Sequence, residues 1–255
     1  MILTIDIGNT SIHFGVFDGH KLKSEWRITT KPHKTSDEYG ITIKEFLQDG
    51  KLNAGGIRGA VLCSVVPILT SAFYQAAEKY FHCKPLVLNT KTKTGFKILY
   101  DPPRDVGSDR IANAVAAHER YREPMIIVDV GTATTFDVIS KRREYLGGVI
   151  APGVMISVET LFAKTAKLPV VELVHPRRII GQDTVSSIQS GIIYGYASMV
   201  DGMIERIQRE LGNRSRVIAT GGFADIITRY CKAVKETRPY LTLEGLNILY
   251  HKNKK

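Results

Sequence analysis

Two short segments of the sequence place an acidic residue and a glycine at the end of an apolar run. They are Ile5-Asp6-Ile7-Gly8-Asn9-Thr10 and Val128-Asp129-Val130-Gly131-Thr132-Ala133. Alternating apolar residues follow each segment, so both predict a strand, a tight turn and a second strand. A turn with glycine can bring backbone N–H and hydroxyl donors close to a phosphate, because glycine has no Cβ in the way. The repeat predicts two halves of like fold with a nucleotide between them.

The two acids have different predicted roles. A carboxylate beside a polyphosphate is repulsive unless a divalent cation lies between them, so Asp6 is predicted to bind Mg²⁺ through water. Asp129 has hydroxyl and carbonyl oxygens nearby, which suits a divalent ion or, more weakly, a monovalent one. The alternative for both acids is a structural residue that closes an ordinary hairpin turn.

A third candidate is the segment Gly107-Ser108-Asp109-Arg110, which precedes a helical pattern. Ser108 is a good N-cap, so Asp109 and Arg110 are predicted in the first helical turn with side chains that can point into a cleft. The helix N-terminus and Arg110 favour negative charge at Asp109, which could then accept a hydrogen bond from a substrate hydroxyl. The alternative is an acid that only stabilises the start of the helix.

The pattern of apolar residues predicts the elements that position these groups. The first half has the predicted order βββαβαβ, at residues 2–7, 11–18, 21–28, 35–48, 60–66, 67–81 and 85–88. Thr35 and Glu38 form a capping box at the start of its first helix. The second half repeats this order and ends at about Tyr250, with predicted elements at 125–130, 134–140, 144–150, 154–162, 184–211 and 216–219. The boundary is predicted near residues 117–124.

Composition excludes several classes of protein. The chain has 255 residues, three cysteines without metal-type spacing, and no apolar run of the roughly 18 residues that a membrane helix needs. No signal peptide is recognised, so a cytoplasmic protein with reduced thiols is predicted. The net charge of +10 comes from scattered residues, which predicts a basic surface that attracts anionic substrates and no nucleic-acid binding.

Other catalytic motifs are missing from the sequence. It has no G-x-x-x-x-G-K-[ST], no G-x-G-x-x-G after a strand, no H-E-x-x-H, no C-x-x-C and no G-x-S-x-G. Its seven histidines form no cluster, which argues against a metal site built from imidazoles.

The two turns, with the later Thr220-Gly221-Gly222, resemble those of the superfamily of acetate and sugar kinases, heat-shock ATPases and actin. Within it the chain is similar to type III pantothenate kinases, through the segments Asp101-Pro102-Pro103, Gly107-Ser108-Asp109-Arg110, Asp129-Val130-Gly131-Thr132, Gly147-Gly148-Val149-Ile150-Ala151-Pro152-Gly153 and Thr165-Ala166-Lys167-Leu168-Pro169. The resemblance implies an α/β fold of two duplicated ribonuclease H-like (actin-like ATPase) domains, at residues 1–117 and 118–255. Each would be a mixed sheet with flanking helices, with a nucleotide cleft between them.

The resemblance also implies an activity, the ATP-dependent phosphorylation of pantothenate to 4′-phosphopantothenate, the first step of coenzyme A biosynthesis. Asp109 would take the proton from the primary hydroxyl. The implied ATP-binding residues are Asp6, Ile7, Gly8, Asn9, Thr10, Ser11, Ile12, His13, Thr132, Gly221 and Gly222. The implied pantothenate-binding residues are Tyr100, Gly107, Ser108, Asp109, Arg110 and Thr184. Asp129 would bind a monovalent cation, K⁺ or NH₄⁺, and Asp6 would bind Mg²⁺ through water.

The resemblance further implies a homodimer in which Thr184 reaches the site of the neighbouring subunit; otherwise Thr184 is only an N-cap of the long helix. Two other functions stay open. One is a regulatory or accessory protein that kept the fold and lost turnover. The other is a chaperone-like or actin-like ATPase, which would need insertions for its partner contacts that this compact chain has little room for.

Overall fold

The structure is a computed structural model that describes residues 1–165 and 168–254. Its strands are β1 (Ile2–Ile7), β2 (Ser11–Asp18), β3 (Lys21–Thr29), β4 (Gly59–Ser64), β5 (Leu86–Val87), β6 (Lys97–Ile98), β7 (Met125–Val130), β8 (Ala133–Ile139), β9 (Glu144–Pro152), β10 (Arg216–Thr220) and β11 (Glu236–Thr237). Its α-helices are α1 (Ser36–Asp49), α2 (Pro67–Phe81), α3 (Ser108–Tyr121), α4 (Val154–Ala163), α5 (Thr184–Leu211), α6 (Ala224–Thr228) and α7 (Leu241–Asn253). Of the segment 165–169, Ala166 and Lys167 lie outside the described residues.

The first compact unit comprises Met1–Arg120 and Tyr240–Lys255. Its sheet has the order β3-β2-β1-β4-β5, in which β1 is antiparallel to β2 and parallel to β4. Apolar residues at alternate positions of these strands pack against α1 and α2, with Phe14, Tyr39 and Phe73 among the buried aromatic side chains. The opposite face of the sheet packs against α7, where the Leu243 side chain lies beside Gly15.

The second compact unit comprises Tyr121–Pro239. Its strands lie in the order β11-β10-β7-β8-β9, with β7 antiparallel to β8 and parallel to β10. The buried stripe of α5, which includes Ile193, Val200 and Ile204, packs with strand residues Val128 and Val217 in one apolar core. This stripe has the 3.6-residue period of a helix with one buried face.

The predicted repeat of element order is confirmed, because each unit has three antiparallel strands followed by helix and a parallel strand beside the first. The second unit has α4 in addition to α5 before that parallel strand. The capping box at α1 is also confirmed, since Glu38 N–H donates to Thr35 Oγ1 and the Thr35 N–H donates to Glu38 Oε2. The division at residues 117 and 118 stays a prediction; the compact units assign the helix α7 to the first one.

Several predicted boundaries were wrong by one or two residues, and two of these differences have a clear cause in local hydrogen bonds. The strand predicted to reach residue 66 ends at Ser64, whose hydroxyl accepts a hydrogen bond from the Val66 N–H at 3.0 Å and turns the chain toward α2. Ser108 is the first residue of α3 and not the cap before it, since the Ile111 N–H donates to the Gly107 carbonyl.

Candidate active site

The first predicted phosphate turn connects β1 to β2. The Gly8 N–H donates to the Ser11 carbonyl at 3.0 Å and closes the turn, which leaves Asn9 and Thr10 exposed at its tip. Thr30, just after β3, fixes the turn from one side: its hydroxyl donates to the Gly8 carbonyl at 2.7 Å and its N–H donates to the Thr10 carbonyl at 3.0 Å. The turn is therefore rigidly held, while its tip can accept a ligand.

Asp6 precedes this turn and lies next to a buried thiol. The Cys63 thiol, on the neighbouring strand β4, donates to Asp6 Oδ1 at 3.2 Å. Burial and the negative charge of Asp109 raise the pKa of Asp6 from its ordinary value of 3.8 to about 7, against the opposing effects of Cys63 and Arg27. Burial and the nearby carboxylates of Asp6 and Asp109 raise the pKa of the Cys63 thiol well above its ordinary value, so the thiol keeps its proton. Asp6 and Asp109 are therefore close enough to repel each other.

Asp109 lies in the first turn of α3. Its carboxylate packs against Gly107, where a Cβ would overlap Asp109 Oδ1, so the glycine makes room for this side-chain position. Arg110 follows and is buried, with 7% of its surface exposed, although the predicted helix start allowed it to point outward. Gly107 and Ser108 also line a cavity of about 850 Å³ with Thr94, Phe96 and Ile111.

The second predicted turn connects β7 to β8, where the Gly131 N–H donates to the Ala133 carbonyl at 3.0 Å. The Asp129 carboxylate lies against two glycines, because a Cβ on Gly131 would be 3.3 Å from Asp129 Oδ1 and one on Gly221 would overlap it. Gly221 has φ +98°, which favours glycine. Thr132 is exposed at the tip of the turn. The unit thus brings together three predicted residues, Asp129, Thr132 and Gly221, and Gly222 follows directly.

Thr184 is the first residue of α5, and the prediction that it could be the N-cap was wrong. Asp183 is the cap: its carboxylate accepts from the Ser186 N–H at 2.8 Å, and the Ser186 hydroxyl accepts in return from the Asp183 N–H. The hydrogen bond from Ser186 lowers the pKa of Asp183. Thr184 and Asp183 line a cavity of about 870 Å³ between the start of α5 and α4.

Sequence reasoning missed several residues beside Asp6. Arg27, Glu25 and Cys63 were not predicted in any site, yet Arg27 and Cys63 both act on the Asp6 carboxylate. Arg27 and Glu25 occupy alternate, exposed positions of β3. This alternation is the sequence feature that could have indicated that both side chains lie on one face of the sheet. Their relation to Asp6 depends on strand register, which the sequence pattern does not specify.

The donor set fits a divalent cation bound together with a polyphosphate. Mg²⁺ in proteins commonly uses one or two carboxylates, with phosphate oxygens and water as the other ligands. Asp6, whose carboxylate is repelled by that of Asp109, can supply one such carboxylate. Within residues 1–165 and 168–254, no group of three or more His, Cys, Asp or Glu side chains could hold a metal ion.

Two solved structures share the fold. A Campylobacter jejuni chain provisionally named a Baf family transcriptional activator matches with a TM-score of 0.60 at 20% identity, over 98% of both chains. The inorganic polyphosphate/ATP-glucomannokinase from Arthrobacter sp. strain KM matches with a TM-score of 0.51 at 13% identity, again over 98% of both chains. At these identities the similarity concerns the fold alone. The repeated mixed sheets and these matches define a fold of the sugar-kinase and actin-like ATPase type.

Sequence similarity defines the family. The family model for type III pantothenate kinase matches residues 2–206. The type III pantothenate kinase of Geobacter sulfurreducens is 48% identical over 254 residues, which cover the whole of both chains, and that of Geobacillus kaustophilus is 49% identical over 253 residues, which cover 99% of this chain and 98% of the relative. The chain belongs to the type III pantothenate kinase family. It is a kinase that phosphorylates pantothenate with ATP and a divalent metal, in coenzyme A biosynthesis.

None of the helices in the described part of the chain combines the length and the apolar character that crossing a membrane requires.

Proposed function

We propose that Asp109 is the group that accepts the proton of the terminal pantothenate hydroxyl. The observation that carries this assignment is the proximity of Asp109 to Asp6, shown by its effect on the pKa of Asp6. An acid beside the first turn is suited to orient an acceptor hydroxyl toward phosphates proposed to bind at that turn.

In the proposed reaction the hydroxyl oxygen forms a bond to the γ-phosphorus of ATP, and the bond from that phosphorus to the β,γ-bridging oxygen breaks. The hydroxyl proton goes to Asp109, and ADP is the leaving group. Phosphoryl transfer has a loose transition state in which the nucleophile loses its proton late, so orientation of the hydroxyl by Asp109 matters more than its basicity.

The first turn is proposed to bind the phosphates through Gly8, Asn9 and Thr10, and Asp6 is proposed to bind Mg²⁺ through water. When bound, Mg²⁺ neutralises charge on the phosphates and on the leaving oxygen. The exposed turn tip and the repulsion between Asp6 and Asp109 support this assignment. Ile7, Ser11 and Ile12 flank the turn and are proposed to contact ATP through their backbone.

The pantothenate site is proposed at the start of α3, with Gly107, Ser108 and Arg110 around the substrate and Tyr100 at its side. The cavity beside Gly107 and Ser108 supports this location. A guanidinium suits a carboxylate because it offers two parallel donors. Arg110 and the other basic groups at this site are therefore the candidates for holding the pantothenate carboxylate.

Asp129 is proposed to bind the monovalent cation, K⁺ or NH₄⁺, and Thr132, Gly221 and Gly222 are proposed to contact ATP. Asp129 has threonines as register partners on both sides, Thr135 on β8 and Thr220 on β10. One carboxylate among neutral hydroxyl oxygens suits a cation of low charge better than it suits a phosphate. The glycines allow close approach to Asp129.

A homodimer is proposed in which Thr184 contacts pantothenate of the neighbouring subunit. Large apolar side chains near the start of α5 are exposed, with 67% of Ile179 and 78% of Ile180 accessible, as an interface would require. Sedimentation of the protein and of an Ile180→Asp variant tests this proposal, which predicts a dimer for the former and a monomer for the latter. A cytoplasmic location, with neither membrane nor nucleic acid as a partner, stays a prediction of the sequence.

The decisive experiment is ADP release with ATP and Mg²⁺ over a panel of hydroxyl substrates, with and without K⁺. Turnover on pantothenate that requires K⁺ is expected. Asp109→Asn should lower kcat by about 10³-fold or more, because the amide cannot accept the proton. Asp49→Asn is the control, since Asp49 is exposed at the end of α1 and does not line the cavity beside Gly107 and Ser108. Full activity in Asp109→Asn would contradict the assigned role.

A further inference from the structure

Four polar side chains lie in one row across the sheet of the first unit. The register pairs Asp6 on β1 with His13 on β2 and with Cys63 on β4, and it pairs His13 with Arg27 on β3. Directly paired residues of neighbouring strands point to the same face. The row Arg27–His13–Asp6–Cys63 therefore lies on the face opposite the core that packs against α1 and α2.

Hydrogen bonds in this row fix the state of His13. An Arg27 Nη2 donor lies 3.1 Å from His13 Nδ1, and His13 Nε2 lies 2.7 Å from Glu25 Oε2. Because a guanidinium only donates, Nδ1 must accept and Nε2 must carry the proton that goes to Glu25. Burial and the charge of Arg27 lower the pKa of His13, in agreement with a neutral ring. Both ring nitrogens thus have protein partners, and neither is directed to a ligand.

Arg27 differs from its neighbours in the row because its side chain is exposed. One of its donors binds His13, and the guanidinium has five in all. Its charge is close enough to Asp6 to lower the pKa of that carboxyl. Thr30, three residues later in the chain, fixes the carbonyls of Gly8 and Thr10. The end of β3 therefore both supports the phosphate turn and carries a cation beside it.

We propose that Arg27 donates hydrogen bonds to the phosphates of ATP at the Gly8–Thr10 turn, and that His13 and Glu25 position its guanidinium. This proposal rests on the assignment of that turn as the phosphate site. An ATP-binding role of His13 would then be exerted through Arg27 and not by direct contact. His13 packs beside Tyr240, with ring centroids 6.1 Å apart, which further limits the freedom of the imidazole.

The test compares Arg27→Gln with Lys23→Gln. Lys23 is exposed on the same strand, so its replacement changes the net charge equally but lies outside the row. Dissociation constants for Mg²⁺-ATP are measured by calorimetry, and the KM for pantothenate is measured separately. Arg27→Gln should weaken ATP binding about 10- to 100-fold, the range for loss of charge-assisted hydrogen bonds, and should leave the pantothenate KM within about twofold. Arg27→Lys should recover only part of the affinity for ATP, because lysine keeps the positive charge but lacks the planar guanidinium with its paired donors.

The positioning role is tested with His13→Gln and the double variant with Arg27→Gln. If His13 acts through Arg27, the double variant binds ATP no more weakly than Arg27→Gln alone. Additive losses would overturn the positioning role, since a merely structural contribution of His13 would add to that of Arg27. Circular dichroism and thermal unfolding of each variant show that the fold is kept.

ATP binding by Thr10→Ala tests the assignment of the Gly8–Thr10 turn as the phosphate site. It therefore distinguishes an error in that assignment from an error in the role proposed for Arg27. Weakened ATP binding in Thr10→Ala, with binding in Arg27→Gln equal to that in Lys23→Gln, overturns the inference alone. Unchanged ATP binding in Thr10→Ala overturns both the assignment and the inference.

Discussion

The two turns have the same backbone plan but differ in the side chains that share a row with the acid. In the first unit the row is Arg27–His13–Asp6–Cys63. In the second unit the equivalent strands give Ile150–Thr135–Asp129–Thr220. The first row contains a cation, an imidazole and a thiol donor, whereas the second contains neutral hydroxyls and an apolar residue. Duplication of a fold therefore does not duplicate the chemistry of its site.

The two acids also differ in their wider surroundings. Burial and the negative charge of Asp109 raise the pKa of Asp6 against the opposing effects of Cys63 and Arg27 in its row, so a bound cation would favour the charged form of Asp6. Asp129 instead lies against Gly131 and Gly221, which permit a close ligand at its oxygen. The first row suits phosphates with a divalent ion, and the second suits one weakly charged ion. Substitutions of the two acids can separate these two kinds of site.

The largest expected effect distinguishes Asp6→Asn from Asp129→Asn. Asp6→Asn should lower kcat about 10³-fold at every K⁺ concentration, because it removes the carboxylate proposed to hold Mg²⁺ at the reacting phosphates. Asp129→Asn should instead raise the K⁺ concentration for half-maximal activity by at least about tenfold, while the Mg²⁺ requirement stays the same. Steady-state rates over a grid of K⁺ and Mg²⁺ concentrations make the comparison.

Each variant is a control for the other, since both replace a carboxylate by an amide at equivalent positions of the repeat. If the two variants lost activity with the same K⁺ and Mg²⁺ dependence, the assignment of different ions to the two turns would be wrong.

The next effect concerns stability at the second turn. Gly221→Ala should lower the free energy of unfolding by about 3 kcal/mol, because alanine is strained at φ +98° and its Cβ would overlap Asp129 and the Val130 backbone. Gly131→Ala is the matched control: its Cβ would be 3.3 Å from the same carboxylate oxygen, and a cost below about 1 kcal/mol is expected. Urea unfolding measures both, and equal costs would show that backbone strain at Gly221 is unimportant.

Most of the fold could be predicted from the sequence. Strands β1, β2 and β7 and helices α2 and α5 have the predicted limits, because alternation and helical periodicity are local properties. The packing of α7 with the first unit could not be predicted in the same way. It depends on contacts such as that of Gly245 with the Ala112 carbonyl, which are far apart in sequence.

The residues of the candidate site could be predicted where they belong to one contiguous motif. They could not be predicted where strand register determines which residues are neighbours. Asp6 with its turn, and Gly107 with Asp109, were named because their neighbours in sequence are their neighbours in space. Arg27 faces His13 only because of the register of β2 and β3, which also shifts at an irregularity between Val16 and Phe17. No local pattern contains that information. The choice of Asp183 over Thr184 as cap likewise depends on Ser186, which exchanges hydrogen bonds with Asp183.

A smaller effect is the pH dependence of stability that Asp6 causes in the protein without ATP or divalent ions. The folded protein holds a proton on Asp6 up to about pH 7, whereas the unfolded chain releases it near its ordinary value of 3.8. Stability should therefore fall as the pH rises from about 4 to 7, by at most about 4 kcal/mol. Asp6→Asn should remove this fall, so that the variant is the more stable protein at pH 8 and gains nothing from the change at pH 4.

Thermal unfolding in EDTA from pH 4 to 8 measures this effect, with Asp129→Asn as the matched control. A parallel pH dependence of the original protein and Asp6→Asn would show that Asp6 is ionised throughout, and the contrast between the two rows would then lose its electrostatic basis.

The smallest expected effect comes from Cys63, the neutral member of the first row. The thiol donates to Asp6 and so stabilises the charged carboxylate, which means that Cys63→Ala should raise the pKa of Asp6 further. Cys63→Ser keeps a donor and should restore the behaviour of the original protein, and each change should alter stability by about 1 kcal/mol. Carboxyl ¹³C NMR titration follows Asp6 directly. If Ala and Ser gave the same titration, the thiol would be only a packing group, and the polar row of the first unit would end at Asp6.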